Sequence, residues 1–220
     1  MPVPLLAALL ALALTPSGAA AADAVRVRET RSISVGEPPA AGAATHDLAL
    51  HVYMFQDTRW RSTDVARALR EAARTLAQCG VQMTDVELRL LEAPRRFHDY
   101  FTPVSRELLR TIAAPKPAIF LVEETRNEPA FDAEAIGRGN ATTRPELADT
   151  VWVAYGARDL GLVLAHELVH VLSDSGEHSH EAGNLMLPET APANTRLSVA
   201  QCRRLRARGE ANGLLTRHSK

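Results

Sequence analysis

Two histidines and a glutamate form the most informative short pattern in this chain, His166-Glu167-Leu168-Val169-His170. In a helix, residues four apart lie on one face, so the imidazoles of His166 and His170 can reach a single metal ion. Glu167 lies about 100° further round the helix and points beside the metal, where a general base is needed. Zinc lowers the pKa of a bound water towards about 7, and a neighbouring carboxylate can take its proton as the water attacks a carbonyl. The pattern predicts zinc-dependent hydrolysis with Glu167 as the catalytic base.

The residues before this pattern indicate a buried helix. The run 160–165 is apolar on every side, which is typical of a helix that crosses the middle of a domain, and Asp159 is its predicted N-cap. Plain core packing of the histidines is the alternative interpretation. A buried helix with two histidines and a glutamate would then leave costly unsatisfied polar groups, so we favour the metal.

A third metal ligand is expected in the loop that follows, because catalytic zinc usually has three protein ligands and one open position. Gly176 is predicted to end the helix and turn the chain back. His178 is the favoured ligand because it follows this glycine most closely, and His180 is the alternative. Either would otherwise be an exposed histidine in a polar loop.

The pattern and the residues after it resemble the metzincin clan of zinc endopeptidases, whose motif HExxHxxGxxH precedes a tight methionine turn under the metal. The strand and helix order across about 45–210 resembles that clan more loosely. Ser173 and Gly176 stand at the clan's glycine and third-histidine positions. The resemblance therefore requires a turn two residues longer to bring His178 to the metal.

The segment Asn184-Leu185-Met186 resembles the methionine turn of that clan. The resemblance implies that Met186 forms an apolar floor beneath the ligating imidazoles. Pro188 stands where some of these families have a metal-reaching tyrosine, so no ligand is expected there. Zincins with a glutamate ligand need that glutamate on a following helix, and the Pro-rich surroundings of Glu189 disfavour one.

Strands alternate with helices along the rest of the chain. Strands are predicted at 47–55, 86–91, 117–122, 133–136 and 150–155, and helices at 62–79, at 105–112, around the zinc pattern, and from Ser198 to a stop at Gly209. This order predicts an α/β, α+β zincin-like fold: a mixed, mainly parallel twisted sheet with an active-site helix and a C-terminal helix. The short strand at 133–136 is expected at an exposed edge, where an extended peptide could add as a strand. His51 and His98 are expected away from the metal, His98 on a surface loop.

The charge balance limits the classes of partner. The chain has 220 residues and a net charge of -1, which suits one domain and does not suggest an electrostatic nucleic-acid binder. Four arginines between 203 and 208 are interpreted as a solvated helix face. We expect a monomer that acts on a peptide or protein, with no bound nucleic acid. A catalytically inactive binding module of the same fold is the alternative function.

The N-terminal region indicates export. Residues 1–22 are predicted to be a signal peptide with an Ala-x-Ala cleavage site, and an uncleaved N-terminal anchor is the alternative because the region before the apolar run has no Lys or Arg. Residues 23–44 are predicted to be a linker or short pro-segment, 45–215 the catalytic domain and 216–220 a tail. The protein is therefore expected to be secreted or periplasmic, without stable membrane insertion after cleavage.

Cys79 and Cys202 are the only cysteines. An even count in an oxidising compartment predicts one disulfide, and two free buried thiols are the alternative.

Overall fold

The structure is a computed structural model that describes residues 24–36 and 44–218. Strand β2 (His46–Phe55) lies at the centre of its sheet. The other strands are β1 (Arg26–Ser32), β3 (Val81–Glu92), β4 (Ala118–Val122), β5 (Ala133–Ile136), β6 (Thr150–Ala154) and β7 (Thr216–Arg217). The helices are α1 (Ser62–Ala77), α2 (Thr102–Ile112), α3 (Leu160–Ser173) and α4 (Val199–Ala211). The predicted signal peptide, 1–22, lies outside the described residues.

The strand order is β1-β3-β2-β4-β6-β5, with β7 pairing to the start of β2. The four inner strands β3, β2, β4 and β6 are parallel, and β1, β5 and β7 pair antiparallel. The helices α1, α2 and α3 connect the inner strands or follow the last of them, as parallel pairing requires. The prediction of a mixed, mainly parallel sheet is confirmed.

The two faces of the sheet bury different side chains. Along β2, Leu50, Val52 and Met54 pack into the cluster that contains α1 and α3, whereas Tyr53 and Phe55 point to the other face. That second cluster is largely aromatic and contains α2. Alternation along a strand explains this division, since successive side chains leave opposite faces of a sheet.

Helix α3 is buried along nearly its whole length, as its apolar run predicts. It lies close to α1 at Gly161, where a Cβ atom would lie 2.6 Å from the Cβ of Glu71. Asp159 occupies the N-cap position with φ 52°, but its side chain makes no capping hydrogen bond. The prediction places the start of the helix correctly, but the expected hydrogen bond from the Asp159 side chain is not formed.

Short strands lie in two segments that were predicted to be outside the catalytic domain, 45–215. The expected linker, 23–44, contains β1, which pairs antiparallel with β3, and the expected tail, 216–220, contains β7. β1 is exposed along its whole length, so it shows no hydrophobic period and only its backbone pairing identifies it.

Gly209 does not end the last helix, which continues to Ala211. A Cβ at Gly209 would lie 2.6 Å from Leu215 Cδ1, so this glycine permits close packing.

Helix α4 is joined to the end of α1 by a disulfide between Cys79 and Cys202, as predicted, with Cα atoms 4.8 Å apart. Ser198 caps α4 and forms a capping box with Gln201. Across 24–36 and 44–218, no helix is both long and apolar enough to cross a membrane.

Candidate metal centre

Three imidazoles converge at one point in the structure. His166, His170 and His178 each offer a nitrogen, and these atoms lie within 4.8 Å of one another. His166 and His170 are buried and one turn apart on α3, while His178 comes from the exposed loop beyond that helix. His180, the alternative third ligand, is exposed and is not in the group. The three histidines form a group that could hold a metal ion.

The outer nitrogen of each buried histidine faces a backbone carbonyl. His166 Nδ1 lies 2.8 Å from the carbonyl oxygen of Leu185, and His170 Nδ1 lies 2.6 Å from that of Ser175. A carbonyl can only accept, so each Nδ1 carries the hydrogen and each Nε2 keeps its lone pair. The tautomer of both imidazoles is therefore the one that presents Nε2 to a metal.

The two Nε2 atoms are 3.0 Å apart. Tetrahedral zinc with Zn–N bonds of about 2.0–2.1 Å separates its nitrogen ligands by about 3.3 Å. The nitrogens of His166 and His170 therefore lie close enough together to bind one metal ion.

Burial favours the neutral form of the two helical imidazoles. It lowers the pKa of His166, and it lowers the pKa of His170 to about 4, with further contributions from the neighbouring histidines. Neutral imidazole is the form that binds a metal, so the burial of these two side chains favours metal binding over protonation.

Glu167 lies next to the three histidines and outside their group, as the helix geometry predicts. Burial raises the pKa of Glu167 to about 8, and the negative charge of Glu134 adds to this shift. The backbone N–H of Ala135, on the edge strand β5, acts on this pKa in the opposite direction. The carboxyl group can thus hold a proton near neutral pH.

These residues line a cleft with a volume of about 570 Å³. Its lining includes the three histidines and Glu167, residues 133–135, 137, 139 and 140, residues 174–176, and Pro188. The candidate metal site therefore opens into a space large enough for part of a peptide, with the edge strand as one of its walls.

The loop to His178 begins at Asp174, which ends α3 in a left-handed conformation with φ 47°. Its Oδ1 accepts a hydrogen bond from the backbone N–H of Gly139, 3.2 Å away across the cleft. Gly176 does not adopt a positive φ, so the prediction that this glycine turns the chain is wrong. Aspartate tolerates the left-handed region because its short side chain can bond locally, and here that bond is formed.

The segment 184–186 forms a tight turn beside the centre. Met186 is buried, its N–H donates to Asn184 Oδ1 over 2.9 Å, and its carbonyl accepts from Ser179 N over 2.6 Å. The residue before it, Leu185, supplies the carbonyl that faces His166. The role of Met186 as an apolar floor stays a prediction.

The remaining histidines named from the sequence lie elsewhere. His98 is buried rather than on a surface loop, since its ring stacks on Phe55 with centroids 4.7 Å apart. His51 contacts Glu87 at 3.2 Å. Neither belongs to the candidate metal group, as expected.

Sequence reasoning named Asn184 in the methionine turn but missed its contact with Gln201, and it missed the approach of Ala135 to Glu167. These contacts join segments that are remote in sequence, so they leave no local pattern. Ser198 and Gln201, three apart before a helix, match the capping-box pattern and could have been found.

The chain resembles known proteins in its fold and matches no family model. No family model matches the sequence, and no curated protein matches it. Among solved structures, the fold is similar to that of metalloproteinase-II from Bacteroides fragilis, with a TM-score of 0.54 and 18% identity. The chain has a metalloproteinase-like fold. The likeness covers 77% of this chain and 55% of the other, so this chain corresponds to about half of that structure.

Proposed function

We propose that the protein is a zinc-dependent metallopeptidase, secreted or periplasmic, that hydrolyses peptide bonds in a peptide or protein substrate. The observation that carries this proposal is the convergence of three imidazole nitrogens beside a half-buried glutamate in an open cleft. The metalloproteinase-like fold and the resemblance to metzincins support it.

His166, His170 and His178 would hold the ion. Zinc bound there supplies Lewis acidity and lowers the pKa of a water molecule towards about 7. The carbonyls of Leu185 and Ser175 keep the two buried imidazoles in the required tautomer. His178 would complete the set from outside the helix.

Glu167 is the proton carrier in this proposal. Its raised pKa follows from burial and from Glu134, and a nearby cation would lower that pKa again towards neutrality. A general base works best when its pKa lies near the working pH. The carboxylate would take a proton from the attacking water and give it to the leaving amine.

The substrate would lie along β5. This strand pairs only with β6 in the described chain, and its residues line the cleft. An extended peptide can add to a free strand edge through main-chain hydrogen bonds, which accept many sequences. The proposed substrate class is therefore an extended segment of peptide or unfolded protein.

The proposed location rests on the disulfide, which persists in oxidising compartments. The signal peptide expected at 1–22 agrees with it. We also propose that the protein is a monomer and binds no nucleic acid.

The test is Glu167→Gln, with the exposed glutamate variant Glu189→Gln as its matched control. Glu167→Gln should retain about one zinc per chain and lose at least about 100-fold in the cleavage rate of a fluorescently labelled unfolded protein. Glu189→Gln should cleave like the wild type. Cleavage by Glu167→Gln at the wild-type rate would contradict the proposal. A zinc-loaded wild type that cleaves no unfolded protein would favour the inactive binding module.

A further inference from the structure

A pair of side-chain amides connects α4 to the turn beside the candidate metal centre. Asn184 Nδ2 donates to Gln201 Oε1 over 3.0 Å, and Gln201 Nε2 donates to Asn184 Oδ1 over 3.1 Å. Asn184 is buried, with 3% of its surface exposed. Neither residue belongs to the histidine group, so any effect on the metal must pass through other atoms.

The orientation of the Gln201 amide is set by the start of α4. Its Oε1 also accepts the backbone N–H of Ser198 over 2.7 Å. With the amide turned the other way, its NH₂ group would face this N–H, and two donors cannot bond to each other. The oxygen therefore faces Ser198, and Nε2 donates to Asn184. The capping box thereby determines which end of the Asn184 amide faces which neighbour.

Asn184 in turn orients one peptide group. Its Oδ1 accepts the N–H of Met186 over 2.9 Å, and that N–H belongs to the same planar unit as the carbonyl of Leu185. In a trans peptide the N–H and the C=O point in opposite directions, so fixing one fixes the other. The Leu185 carbonyl then faces His166 Nδ1 at 2.8 Å.

We propose that Gln201 is a positioning residue for the metal centre, acting through Asn184 and the Leu185 carbonyl on the imidazole of His166. The inference rests on the metal binding in the proposed function and needs no peptidase activity. Removing the direct partner of a ligating histidine typically weakens metal binding 10–100-fold, so loss of Gln201, which acts on that partner through Asn184, should weaken it by no more than this. Cys202, the neighbour of Gln201, anchors this part of α4 through the disulfide.

The test compares Gln201→Met with Ser198→Ala, using Co²⁺ as the metal probe in the full chain. Ser198→Ala removes the Ser198 Oγ bond to Gln201 N, a 3.2 Å capping contact, but leaves the amide pair in place. Both variants should melt at a lower temperature than the wild type, because each weakens the cap. Only Gln201→Met should release Co²⁺ faster to a chelator, by up to about 100-fold, with a changed visible absorption spectrum.

A second variant separates positioning from folding. Gln201→Glu keeps an oxygen for the Ser198 N–H and loses the donor to Asn184, so it should fold and still release Co²⁺ faster than Ser198→Ala. Equal release from the wild type, Ser198→Ala and Gln201→Glu would overturn this inference alone. A folded wild type that binds no Co²⁺ would overturn the proposed metal function and this inference with it.

Discussion

The Nδ1 atom of His170 lies 2.6 Å from the backbone carbonyl oxygen of Ser175, across the end of α3. Ser175 is also part of the loop that carries the chain from Asp174 to His178. The same contact therefore fixes the second candidate ligand and the path of the chain towards the third. His178 lies eight residues after His170, and the turn through Asp174 and Ser175 brings its imidazole back beside that of His170.

The first prediction concerns the identity of the third ligand. His178→Ala should lose most of the bound zinc, because two histidines hold the ion weakly, and His180→Ala should retain about one zinc per chain. Elemental analysis after dialysis measures this directly. Far-UV circular dichroism serves as the control that both variants are folded. Loss of zinc from His180→Ala alone would show that the loop is arranged differently in solution.

Gly161 and Gly176 should differ in how strongly they respond to alanine. Gly161→Ala should lower the free energy of unfolding by about 1–3 kcal/mol, because its Cβ would overlap the side chain of Glu71. Gly176→Ala should change it by less than about 0.5 kcal/mol, since nothing lies within 4 Å and φ is not positive. Urea denaturation of the two variants tests both statements. A larger loss in Gly176→Ala than in Gly161→Ala would contradict them.

The disulfide should contribute a large part of the stability. Cys79 and Cys202 are separated by 123 residues, and cross-links that close long loops restrict the unfolded chain most. The variant with both cysteines changed to alanine should lose about 2–5 kcal/mol of unfolding free energy. Intact-mass measurement after alkylation, with and without reductant, is the control for the bridge. A double variant as stable as the wild type would refute this expectation.

Lys116 should make stability depend on pH in the alkaline range. Burial lowers its pKa from 10.5 to about 8, although the charge of Asp149 opposes the shift. Between these values the unfolded chain binds a proton that the folded chain has released, so the contribution of Lys116 to the unfolding free energy rises with pH. The unfolding free energy of the wild type minus that of Lys116→Met should therefore increase from about pH 7.5 to about pH 10 in urea titrations. A difference that stays constant or falls would show that the amine is not buried as described.

The local parts of the site were predictable, because spacing within one helix fixes which side chains share a face. His166, Glu167 and His170 follow from that rule, and the continuous apolar run predicted the burial of α3. His178, and not His180, lies with His166 and His170, although Gly176 does not make the turn that brings it there. The role of His178 as a ligand stays a prediction. The turn that matters is at Asp174, and aspartate at a helix end is a weaker signal than glycine.

Contacts between distant segments could not be predicted. Ala135 reaches Glu167 only after β5 pairs with β6, and the Leu185 carbonyl reaches His166 across nineteen residues. β1 was missed for a different reason. Its side chains are exposed on both faces, so its place in the sheet comes from backbone hydrogen bonds that leave no mark on the sequence.

The positions of the two cysteines also set an order of events during synthesis. Residue 79 precedes every residue of the candidate centre, and residue 202 follows all of them. A chain that emerges from its N-terminus therefore presents the three histidines before its second cysteine is available. The bridge can close only around a segment that already contains the complete ligand set, so oxidation comes last and fixes in place a site whose parts are all present.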